Sequence, residues 1–187
     1  MTEKKHILIC GDRGAGKSTL IERLLAECPL PRYGFITKRM EPDETGFHPI
    51  YIHPAGSGDR KYTEENCIGI CDGKTHEPAA EVFDHLGTEY IRSARPDGII
   101  VMDELGFLES KAEVFTKAVL TALDGDIPVI AAVKSRTDVP FLNEVRSHPA
   151  AEVYYITKEN REEVYQTIFP LMQKWIRNAS GSHQDIC

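Results

Sequence analysis

The chain lacks what a membrane protein, a disulfide scaffold or a nucleic-acid binder is made from. Its 187 residues hold no run of 18 apolar side chains, so no membrane-spanning helix is expected. The five cysteines, Cys10, Cys28, Cys67, Cys71 and Cys187, are odd in number and scattered. That does not suggest a disulfide framework. Cys67 and Cys71 are spaced for one strand face, but two thiolates make a poor zinc site unless His53 or His76 joins them. Basic charge is also short, with 22 Lys and Arg against 29 Asp and Glu and a net charge of −7. This argues against nucleic acid or an anionic membrane as the main partner. Met1 to Lys5 contain no signal-type apolar stretch, so a cytoplasmic protein is expected. The polar tail from Ser180 to Cys187 is expected to be disordered. Its final Cys is misplaced for prenylation, which needs a Cys four residues from the end.

What is present is decisive from the first strand onward. Gly11-Asp12-Arg13-Gly14-Ala15-Gly16-Lys17-Ser18 is a complete phosphate-binding P-loop. The apolar run His6 to Cys10 before it reads as a buried strand. Thr19 to Leu25 after it has helical apolar spacing. Glycines let the loop backbone curl so that successive N–H groups point inward, and the following helix adds its positive end. Gly11 through Thr19 are therefore the expected nucleotide-binding residues. Lys17 should reach the β- and γ-phosphates, and the Ser18 hydroxyl should ligate Mg²⁺.

Further on, Tyr33 to Lys38, Phe47 to His53 and Asn66 to Cys71 read as short strands. Residues 32–74 are expected to form a small β insertion. Helical spacing returns at Val82, Phe83, Leu86, Tyr90 and Ile91. A further helix is expected on Val114, Phe115, Ala118, Val119 and Ala122, and a short one from Pro140 to His148. A last helix presents Val164, Ile168, Leu171 and Trp175, with Pro170 expected to kink it near Thr167. Buried strands are expected at Ile99 to Met102, Ile127 to Val133 and Val153 to Ile156. Strands alternating with helices indicate a doubly wound, mostly parallel α/β sheet with helices on both faces. Residues 1–178 are expected to form one domain.

The strand Ile99 to Met102 ends in Asp103-Glu104. Asp103 is placed to hold Mg²⁺, the Walker B role. Glu104 is the candidate general base for an attacking water. About 80 residues separate this pair from the P-loop, enough for a strand to lie between them in the sheet. Thr157-Lys158-Glu159-Asn160 resembles a guanine-reading loop, but Asn160 stands where a carboxylate would accept two guanine N–H bonds. Strong guanine selectivity is not expected.

These motifs resemble the THEP-type P-loop nucleoside-triphosphatases, the group that includes the human cancer-related nucleoside-triphosphatase. The likeness extends to about residue 177. It rests on the P-loop, Gly34-Phe35-Ile36-Thr37, Asp103 to Glu109, and the segment Val153 to Arg161. The resemblance implies a RecA-like fold and slow, Mg²⁺-dependent hydrolysis of several nucleoside triphosphates. By matched position Lys17, Ser18, Asp103 and Glu104 inherit phosphate, metal and catalytic roles. Phe107 stands where the family often has Lys, and Glu41 where it often has Arg. If those basic groups serve the γ-phosphate, hydrolysis here is slower or uses Arg39.

Arg13, Lys134, Arg136 and Arg161 are further candidates for γ-phosphate contact. A monomer acting on ATP, GTP and other triphosphates is expected. The alternatives are a small-molecule or nucleoside kinase, and a binding module switched by nucleotide.

Overall fold

The computed structural model describes residues 4–44, 46–56, 58–71 and 80–181. His76 and residues 182–187 of the tail lie outside them, and so do the zinc and tail expectations that involve them. One seven-stranded sheet organises the described chain. Its strands are β1 (His6–Gly11), β2 (Arg32–Arg39), β3 (His48–Pro54), β4 (Cys67–Cys71), β5 (Ile99–Leu105), β6 (Val129–Lys134) and β7 (Ala151–Tyr155). Their spatial order is β4-β3-β2-β5-β6-β1-β7. The pairs β2–β5, β5–β6, β6–β1 and β1–β7 are parallel. The pairs β2–β3 and β3–β4 are antiparallel. Strand β6 thus lies between the P-loop strand β1 and the acidic strand β5, as their separation in sequence allows.

The helices are α1 (Lys17–Ala26), α2 (Ala80–Val82), α3 (Thr88–Arg92), α4 (Glu113–Asp124), α5 (Pro140–Arg146) and α6 (Arg161–Gly181). A π-helical turn, Phe83–Gly87, joins α2 to α3. Alternate strand residues face opposite sides of the sheet, which gives two apolar cores. Ile7, Ile9, Val101, Ile130 and Ala132 pack with α1 and α6. Leu8, Cys10, Met102, Ala131 and Val133 pack with α4 and α5. The second core holds Phe35, Phe83 and Phe115, whose ring centroids lie 5.1–6.4 Å apart. The Asp84 carboxylate accepts the Phe115 backbone N–H at 2.9 Å near the start of α4, where a negative charge is favourable.

Two expectations change in the structure. Strand β2 is a member of the core sheet rather than part of an insertion; only β3 and β4 are the antiparallel addition. Gly34 makes this possible. It has φ +84°, and a Cβ there would stand 2.1 Å from the Val101 carbonyl oxygen on β5. Val114 is exposed, and the buried stripe of α4 is Phe115, Ala118, Val119 and Leu123. Helix α6 is continuous through Pro170.

Candidate active site

The P-loop leaves β1 at Gly11 and enters α1 at Lys17, at the carboxyl ends of the parallel strands, where ligands of open α/β sheets bind. Gly14 and Gly16 have φ +79° and +98°, a conformation that costs other residues strain. Lys17 is 4% exposed, and its ammonium donates to the carbonyl oxygens of Gly11 and Asp12 at 2.7 and 3.0 Å. Asp12 also accepts a hydrogen bond from the Ser135 hydroxyl at the end of β6, which ties the loop to the sheet. Ala15 is buried, while Arg13 and Thr19 face outward.

The second motif meets the first as the strand order requires. The Ser18 hydroxyl donates to Asp103 Oδ1 at 2.9 Å. Burial pushes the Asp103 carboxyl up to about 6 against the lowering effect of the Ser18 bond, with Glu104 adding to the rise. Glu104 lies between two lysines. Its Oε2 is 3.0 Å from Lys17 Nζ, and its Oε1 is 3.3 Å from Lys134 Nζ. Lys134 ends β6, and α5 steadies that strand end because Arg146 donates to the Lys134 carbonyl at 2.6 Å.

The remaining candidates separate by position. Arg161 does not point its donors at open space: Nε donates to the Ala15 carbonyl at 2.8 Å. Arg136 pairs with Asp138 and lies over the Phe107 ring, 4.9 Å from its centroid. Arg13, Lys134, Arg136 and Arg39 all line a cavity of about 340 Å³ with Asp103 and Glu104. Asn160 is committed to its own turn. Its side chain accepts the Thr157 N–H at 2.7 Å and donates to the Tyr155 carbonyl at 3.0 Å.

Sequence reasoning missed Glu109 as a wall of this site. It is 3% exposed, and its carboxylate accepts the Gly106 N–H. Burial pushes it up to about 7. A lone Glu five residues after Glu104 carries no periodic signal; the 3-10 turn Leu108–Lys111 folds it back. Among the described residues no group of three or more His, Cys, Asp or Glu is arranged to hold a metal. No helix among them is long and apolar enough to cross a membrane.

A family model described as NTPase matches residues 6–169. The chain belongs to this NTPase family. It is 30% identical over 186 residues to the nucleoside-triphosphatase THEP1 of Pyrococcus abyssi, covering 96% of this chain and 99% of that protein. It is 25% identical over 188 residues to the cancer-related nucleoside-triphosphatase homolog of Bos taurus, covering 90% and 97%. The crystal structure of THEP1 from Aquifex aeolicus superposes with a TM-score of 0.68 at 24% identity, covering 90% of this chain and 99% of that one. That likeness establishes the fold of this NTPase, and the family match its enzyme class.

Proposed function

We propose that this NTPase cleaves the β–γ anhydride of Mg²⁺-bound nucleoside triphosphates, with Glu104 activating water and with little choice of base. The observation that carries the reading is the position of Glu104, 3.0 Å from the P-loop lysine. A group there borders the γ-phosphate, because a P-loop lysine reaches the β- and γ-phosphates.

Gly11 through Thr19 would hold the polyphosphate, and Lys17 would neutralise charge that builds on the γ-phosphoryl oxygens and the leaving diphosphate. Ser18 and Asp103 are adjacent hard oxygen donors, the set that suits Mg²⁺ when substrate phosphates complete its coordination. The ion would supply further neutralisation of phosphate charge. Glu104 would orient a water and accept its proton as the Pγ–O bond forms. The diphosphate leaves with the electron pair of the broken anhydride. Breadth toward bases is supported by Asn160, which spends its side chain on the Thr157–Asn160 turn and presents no carboxylate to guanine.

The test is phosphate release from eight common NTPs and dNTPs, with and without Mg²⁺, in the wild type and in Glu104→Gln. The expected result is Mg²⁺-dependent release from most substrates by the wild type, with nucleotide binding but little release in the variant. Wild-type turnover by Glu104→Gln would remove the assigned base.

A further inference from the structure

Hydrolysis requires room at the γ-phosphate for one attacking water. The cavity that Glu104 lines is far larger. At about 340 Å³ it has the volume of about ten waters at ~30 Å³ each. It touches the P-loop only at Arg13 and Ser18, so most of it extends past the phosphate cradle instead of covering it. Glu104 marks the γ end of the bound triphosphate, whereas the base leaves from the α end. The ion at Ser18 and Asp103 and the γ-phosphate at Glu104 would fill one part of this space; Arg39 lies three residues beyond Ile36, the β2 partner of Asp103, so the part lined by Arg39 and Ile50 lies past them.

The lining points to a second ligand. Ile50 and Phe107 contribute apolar surface, backed by the buried Ile68 and Phe83. Such a surface does nothing for a polyphosphate, but it suits the body of an organic molecule. Arg39 stands beside that surface because it pairs with Ile50 across the β2–β3 ladder, and directly opposed residues share a face. Among the described residues the Arg39 side chain has no hydrogen-bond or ion-pair partner, so its charge is available to an anion. Glu104 and Lys134 line the same cavity.

We infer that this cavity is a phosphoryl-acceptor site for a small hydroxylated organic anion. Its apolar body rests on Ile50 and Phe107, its anionic group faces Arg39, and its hydroxyl faces Glu104. The inference rests on the assignment of Glu104 as the proton acceptor at the γ-phosphate. In the added reaction the acceptor oxygen bonds to Pγ while the bond from Pγ to the β–γ bridging oxygen breaks. The nucleoside diphosphate leaves with that electron pair, and the hydroxyl proton passes to Glu104. The products are a phosphate monoester and the diphosphate. Water takes the same place when the cavity holds no acceptor, so hydrolysis and transfer compete.

The probe is 4-(hydroxymethyl)benzoate, which has a hydroxyl at one end, a carboxylate at the other and a ring between them. The control is 4-methylbenzoate, which has no hydroxyl. Full-length protein is given Mg²⁺ and γ-labelled ATP, and label is followed into inorganic phosphate and into ester. The expected result is that the alcohol diverts label into its phosphate ester, while the methyl compound slows phosphate release severalfold and forms no ester. Ile50→Trp, which fills the cavity, should lower the ester-to-phosphate ratio severalfold; Ile50→Phe serves where Trp prevents folding, judged by thermal melting. No ester from the alcohol overturns the inference, including the case where both compounds merely slow hydrolysis. An ester-to-phosphate ratio unchanged in a folded cavity-filling variant overturns it as well. Phosphate release before any probe is added reads the hydrolytic assignment separately.

Discussion

Lys17 Nζ lies 3.0 Å from Glu104 Oε2, so the P-loop lysine is paired with the carboxylate assigned to water. Incoming β- and γ-phosphates must compete for that ammonium, and the γ-phosphate must also approach the Glu104 charge. Glu104→Gln removes both obstacles. The variant should bind a non-hydrolysable ATP analogue about tenfold more tightly, the effect of roughly 1.4 kcal/mol. Its turnover should fall by about 10²–10⁴, the range for losing a general base. Titration calorimetry and phosphate release read the two effects independently. Equal affinity in the two proteins would mean that the Lys17–Glu104 pair does not compete with phosphate.

Gly34 gives a stability prediction with a contrast inside the same chain. Gly34→Ala drives a Cβ to 2.1 Å from the Val101 carbonyl at φ +84°, in the middle of the β2–β5 pairing. Gly14 has φ +79°, but a Cβ there meets nothing within 4 Å. Gly14→Ala should therefore cost only the backbone strain, about 1–2 kcal/mol. Gly34→Ala should cost more than about 4 kcal/mol, or prevent folding, because backbone must also move. Urea midpoints of the two variants compare these costs. Equal midpoints would contradict the close approach of β2 to β5.

The same glycine shows where the sequence stops being legible. The P-loop can be read directly because all its parts are consecutive. Asp103 and Glu104 can be read because an uninterrupted apolar strand ends on them. Strand β2 is different: its only sequence sign is a short β-prone run, and its place in the core depends on a contact between Gly34 and Val101. Lys134 poses a similar difficulty. It is one of several basic residues until β6 is inserted between β1 and β5, and only then does it reach Glu104. Glu109 and Ile50 reach the cavity from separate elements, so no local pattern announces them.

Buried titratable groups give a pH prediction whose sign can be worked out. Burial raises Glu109 from 4.5 to about 7, so the folded state holds a proton there that the unfolded chain has released. Its contribution favours folding below pH 4.5 and is lost as pH rises to about 7. Glu109→Gln does not titrate, and its amide oxygen can still accept the Gly106 N–H. Its stability relative to wild type should therefore grow by about 3 kcal/mol between pH 4 and pH 8, because a tenfold change in proton affinity corresponds to about 1.36 kcal/mol.

His6 works in the opposite direction: burial lowers it from 6.5 to about 4, so its contribution is present above pH 6.5 and lost on acidification toward 4. Its imidazole is held neutral between the Leu123 carbonyl and the Val129 N–H. Asp103 slopes the same way as Glu109 between 3.8 and about 6. Removing Glu109 should thus leave the His6 slope more visible, with the variant losing stability on acidification more steeply than wild type. Parallel stability–pH curves for the two proteins would exclude the raised Glu109.

Arg161 separates two roles that a basic residue near a P-loop can play. An arginine finger stabilises charge in the transition state, and its loss costs about 10³–10⁵ in kcat. A brace holds the loop in shape before substrate arrives, and its loss weakens binding of ground state and transition state alike. The geometry is that of a brace. Arg161 Nε donates to the Ala15 carbonyl at 2.8 Å, and the guanidinium carbon would be 3.0 Å from a Cβ on Gly16. Its donors thus fix the loop backbone from the first turn of α6. Arg161→Met, which keeps much of the bulk but no donor, should raise KM for ATP severalfold and leave kcat within about threefold, since one hydrogen bond contributes ~1 kcal/mol. Arg161→Lys should recover only part of the effect, because a single ammonium does not reproduce the planar contact with Gly16. A large fall in kcat at unchanged KM would make Arg161 a finger and require the guanidinium to leave Ala15 during turnover.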